Sequence, residues 1–166
     1  MSDAAAAFWR FSLAIYARPD IPPACLALQD QYGRDVNVML FCCWLGASGC
    51  GRLDRAALEA ADRAVAGWRH EVVEHFRTAR RAIKAAALPD SDGIYAKAKA
   101  VELEAERLLQ RQLAERAPPE NVGLATEGRL ADALANLALY VGDAPASPII
   151  EALKAMAETG FRIGTD

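Results

Sequence analysis

The chain has 166 residues, 53% of them hydrophobic and 25% charged, with a net charge of −3. That length suffices for one domain with its own core, and the balance excludes a disordered chain. A net negative charge offers no footprint for duplex nucleic acid, and the longest apolar run, 36–47, falls well short of the roughly 20 residues that span a bilayer.

Alanine dominates, β-branched residues are few, and glycine and proline fall mostly between periodic segments, a pattern that predicts helix throughout. The first helix is expected over 3–17, with Phe8, Phe11, Ser12 and Ile15 on one stripe and Trp9, Leu13 and Tyr16 beside it. Pro22 and Pro23 can start a second helix that runs through Tyr32, with Gly33 as its C-terminal cap. Asp35 reads as the N-cap of a third helix ending near Gly46. That helix is apolar nearly all round and belongs at the centre of a bundle. Gly46, Gly49 and Gly51 read as the loop that ends it.

Asp54 is placed to cap a fourth helix carrying Leu58, Ala61, Val65 and Trp68, which either breaks near Trp68 or continues to Ala87. A turn at 89–93 precedes a long helix over 94–117, whose apolar face is drawn from Val101, Ala105, Leu108, Leu109 and Leu113. Two shorter helices follow. Leu130, Leu134, Leu137 and Val141 give the first its stripe, and Ser147-Pro148 opens the second as N-cap and N1. The tail after Gly160 is expected to fray.

Within this pattern, FWRFSLAIY and then ACLALQDQYGRDVNVMLFCCWLG resemble the opening of a family of short proteobacterial proteins. Their shared motifs are FW-x-FSL-x-x-Y, CL-x-LQ, G-x-DVN and LFC-x-W. WRHEVVEHFRTARRAIK and ELEAERLLQ are similar to later segments of that family, so the resemblance covers 8–110 and leaves the C-terminal helices of 120–160 more idiosyncratic. It implies a bacterial protein of the same fold. No activity is assigned to the family, so no catalytic residue carries over.

No catalytic set stands out in the residues themselves. Ser12 and Ser48 have no histidine at a local spacing, and GASGCG at 46–51 lacks the lysine of a phosphate loop. His70 and His75, five residues apart, sit about 140° apart round a helix and do not share an ion. Glu102 and Glu106 share a face at i, i+4, but no Glu-x-x-His element accompanies them. Cys25, Cys42, Cys43 and Cys50 form no C-x-x-C pair and read as free thiols of a reducing compartment. Neither a metal nor a cofactor is expected, and no basic segment that would open a signal peptide precedes the first apolar stretch.

Two features remain. Arg77, Arg80, Arg81 and Lys84 form a basic stripe at i, i+3, i+4, i+7. It reads either as a partner's docking face or as one side of an antiparallel helix pair, neutralised by Glu102, Glu104 and Glu106. Polar residues also stand inside or beside the apolar N-terminal runs: Ser12, Tyr16, Gln29, Asp30, Asp35 and Asn37. Left unpaired in a core, each costs about 1–3 kcal/mol. They either form a satisfied network that fixes how three helices cross, or the floor of a ligand pocket walled by Trp9, Phe11, Phe41 and Trp44.

The expectation is therefore a single all-α domain over 1–166, a bundle of six to eight helices with its most buried helix near 36–45. The function expected first is a non-enzymatic protein-interaction or regulatory module of the bacterial cytoplasm, docking through the basic stripe. The alternative is a binder of an apolar or amphipathic small molecule, with or without catalysis, through Trp9, Ser12, Tyr16, Gln29, Asp30, Asp35, Asn37 and Trp44. Neither nucleic acid nor membrane is an expected partner.

Overall fold

The computed structural model describes residues 3–161; the expected fraying after Gly160 concerns, beyond Phe161, residues outside that range. Among the described residues there is no strand. The helices are α1 (Asp3–Tyr16), α2 (Ile21–Tyr32), α3 (Val36–Ser48), α4 (Arg55–Trp68), α5 (Glu74–Ala86), α6 (Asp92–Ala114), α7 (Thr126–Val141) and α8 (Ser147–Glu158). The domain is all-α.

Its centre is α3. Every residue from Asn37 to Ala47 is buried, as a helix without a polar face requires. The Asp35 carboxylate accepts from Val38 N at 3.0 Å, satisfying one orphan donor of the first turn. Gly33 closes the preceding helix in the left-handed conformation, with φ of 62°.

Gly46 does not end α3. The helix runs on to Ser48, and Gly49, at φ of 84°, terminates it. Gly46 serves instead where α7 crosses: a β-carbon there would lie 2.0 Å from Ala133 N. The missing side chain lets two backbones meet, and α3 and α7 make the most extensive helix–helix contact among the described residues. On its other side α3 packs on α1, where Phe8 stacks on Trp44 with ring centroids 5.1 Å apart and meets Phe41 edge-on at 5.8 Å.

Asp54 caps α4, accepting from Ala57 N at 2.7 Å. At α8, Ser147 is the first helical residue rather than the cap, which falls on Ala146 and carries no side-chain bond. The long α6 keeps Ala105, Leu109 and Leu113 in the core, but Val101 is 45% exposed.

The helix that begins at Arg55 neither breaks at Trp68 nor continues as plain α. A five-residue π-turn, Arg69–Val73, joins α4 to α5. The inward face of α4 is Leu58, Ala61, Val65, and α-helical spacing would carry it on to Val72, Phe76 and Ala79. Val73 is fully buried instead, and the side chains of Arg77 and Arg80 keep 12% and 22% of their surface. The π-turn absorbs one extra residue and rotates α5 by one position. The arginines thereby face α6.

Candidate binding cleft

α1, α2, α3, α5 and α6 enclose a cleft of about 430 Å³, within the usual range of small-molecule sites. Its apolar wall comes from Trp9 and Leu13 on α1, Leu26 on α2, Val36 and Leu40 on α3, and Leu103 on α6. Leu13, Leu26 and Leu103 are 48%, 47% and 43% exposed. Three of the fold's exposed leucines thus gather round one cavity, which scattered surface residues would not do.

The floor is a chain of polar side chains from three helices. Ser12 Oγ donates to Gln110 Oε1 at 3.0 Å, and Gln110 Nε2 donates to Asn37 Oδ1 at 2.9 Å. All three residues are buried. Asn37 therefore finds its partner on α6, not on α1 or α2.

One flank is ionic. Arg77 donates to Glu106 at 2.8 Å and lies 3.4 Å from Glu102, while Arg80 grips Glu102 through two nitrogens. Burial alone would lower the Arg77 pKa; Glu106, Asp35 and Glu102 outweigh it and the net shift is upward. Burial raises the Glu106 carboxyl despite its bond to Arg77, and partial burial, with Cys25 and Glu106 adding, pushes the Tyr16 hydroxyl up to about 12. Arg81, Lys99 and Tyr95 complete the lining. Arg81 reaches Asp30 at 3.4 Å, a half-exposed pair that contributes little.

The structure thus joins two features that the sequence kept apart. Trp9, Ser12, Tyr16, Gln29 and Asn37 line the same cavity as Arg77, Arg80 and Arg81. Lys84, Asp30, Asp35 and Trp44 do not line it. Asp30 is an exposed partner of Arg81 and of Gln29 Nε2 at 3.3 Å. Asp35 caps α3, and its own N–H donates to Tyr140 Oη at 2.7 Å. Burial raises the Asp35 carboxyl, opposed by the Val38 N–H and by Arg69 and Arg77. Trp44, two turns along α3 from Asn37 on the same face, belongs with Phe41 and Phe8 to the aromatic core beyond the cleft. Glu104 points along its own helix toward Arg107, 3.9 Å away, rather than across to α5.

Gln110 was not anticipated. Its only sign in the sequence is an amide directly after Leu109, with a second at Gln112. Among the described residues no group of three or more histidine, cysteine or carboxylate side chains could hold a metal ion. All four cysteines are free, and burial pushes the thiols of Cys25 and Cys42 up to about 12. Neither is a nucleophile at neutral pH. No helix among the described residues is long and apolar enough to cross a membrane.

An all-α domain with an amphipathic interhelical cleft is the class that these features define. The chain belongs to the family described as Protein of unknown function (DUF2390), which matches residues 7–113 and so takes in the helices that build the cleft. No curated protein and no solved structure matches the chain.

Proposed function

We propose that this protein binds a small amphipathic molecule in the cleft between α1, α2, α3, α5 and α6. The observation that carries the reading is the composition of the cavity: an apolar wall with an exposed leucine mouth, facing a buried polar floor and an ionic flank. Such a site excludes water from an apolar group and fixes a polar one. The docking role of the basic stripe is the weaker reading. Arg77 and Arg80 turn into the cleft onto carboxylates, which leaves only Arg81 and Lys84 for an external partner.

Native mass spectrometry of protein purified from cells tests the proposal. The wild type should carry an adduct, and Leu26→Trp with Leu103→Trp, both at the mouth, should lose it. A bare wild-type spectrum, together with no fluorescence gain by the neutral dye phenylnaphthylamine, would sink the reading. Four free thiols, three of them buried, suit a reducing compartment, and the bacterial cytoplasm is the location we propose with it; cell fractionation that finds the protein outside the cytoplasm would overturn this.

A further inference from the structure

Resting on the cleft being a ligand site, we infer that its occupant is an anionic amphiphile, a linear apolar chain ending in one acidic head. The charge count points there. Arg77, Arg80, Arg81 and Lys99 line the cleft against only two carboxylates, Glu102 and Glu106. Those two are taken: Glu102 holds Arg80 and touches Arg77, and Glu106 holds Arg77. The inner flank is therefore neutral as a set, and the surplus is the outer pair, Arg81 and Lys99.

Arg81 is weakly committed, because its one carboxylate partner lies 3.4 Å away with both side chains about half exposed. A cationic head would meet carboxylates already saturated by guanidinium and would face Lys99 and the loosely paired Arg81. An acidic head replaces a loose surface contact by charge-assisted hydrogen bonds, the stronger kind. The geometry also sets the size. At about 30 Å³ for each water-sized group, 430 Å³ holds roughly 14 heavy atoms. That is a chain of about ten carbons with a compact head, its tail along Trp9, Leu40 and Leu103.

The test is calorimetric titration of purified, ligand-stripped full-length protein with four ten-carbon probes below their micelle concentrations: decanoate, decyl phosphate, decanol and decyltrimethylammonium. Decanoate or decyl phosphate should bind about tenfold or more tighter than decanol, the difference that a charge-assisted pair produces, and the cation weakest. Comparison of the two acids tells a carboxylate head from a phosphate head. Arg81→Ala with Lys99→Ala, both at exposed positions, should erase the preference for acids, bringing decanoate and decyl phosphate to the affinity of decanol for the same variant. Equal binding of acid and alcohol, or tighter binding of the cation, overturns the anionic assignment and leaves the cleft as a ligand site. Binding of none of the four overturns the assignment together with the proposed function.

Discussion

Gln110 on α6 donates from Nε2 to Asn37 Oδ1 on α3 across 2.9 Å, and the same amide accepts from Ser12 on α1 at 3.0 Å. One side chain thus ties three helices at the bottom of the cleft. Gln110→Leu would leave Ser12 and Asn37 buried without it, at about 1–3 kcal/mol for each stranded group. Urea denaturation should show that loss. The triple variant with Ser12→Ala, Asn37→Leu and Gln110→Leu removes donors and acceptors together and should be more stable than Gln110→Leu alone. A triple variant less stable than the single one would show that the chain is not a closed network.

How much of this was legible in the sequence differs between the helices and the cleft. Asn37 could be read as turned inward because it sits in the first turn of a helix that is otherwise apolar. The partner could not be found from local spacing, because Gln110 is 73 residues away and its position is set by where α6 crosses. Gly46 shows the same limit. A glycine near other glycines at a helix end reads as a terminator, and only the approach of α7 reveals it as a crossing point. Helical periodicity, by contrast, is a local property. It placed every long helix to within a few residues, apart from the one-residue phase change at Arg69–Val73.

Gly46→Ala follows from that crossing. The new methyl would meet the backbone of Ala133 at 2.0 Å and Asp132 at 2.5 Å, and neither can yield as a flexible side chain would. The helices must separate, at a cost of about 1–3 kcal/mol or more. The melting temperature should fall clearly, whereas Gly67→Ala, where a β-carbon meets nothing within 4 Å, should leave it level or raise it. Equal effects at the two sites would refute the close approach.

Glu106 makes the ionic flank sensitive to pH in a defined direction. Burial raises its carboxyl above the ordinary value, with Arg77 opposing. A carboxylate raised in the folded state takes up its proton more readily there than in the unfolded chain. Its ionisation therefore costs stability near neutrality, and that cost fades as pH falls through the folded value toward the unfolded value of about 4.3. Glu106→Gln has no such titration. The wild type should gain on the glutamine variant as pH is lowered from neutrality toward that value, whichever is more stable at the start. Guanidinium unfolding of both proteins along that series reads it directly, and a wild type that loses ground would reverse the assignment.

The π-turn yields the least intuitive expectation. Deleting a residue from a helix ordinarily rotates everything beyond it by about 100° and turns the buried face outward. Here Arg69–Val73 already holds one residue too many. Removing Glu71, an exposed residue of that turn, should let α4 and α5 join as one continuous α-helix. Val73, Arg77 and Arg80 then follow Val65 at α-helical spacing and keep their places against α6. The deletion should fold, and its stability should lie within about 1 kcal/mol of the wild type, in the range of a mild surface change. Deleting Ala79, on α5 beyond the turn, offers no surplus residue to absorb. It should rotate Arg80 away from Glu102, leaving a carboxylate whose side chain is only 8% exposed with the 3.4 Å contact of Arg77 alone, at a cost of up to about 3–5 kcal/mol. If the Glu71 deletion proves as damaging as the Ala79 deletion, the turn is not the register correction that places the cleft's arginines.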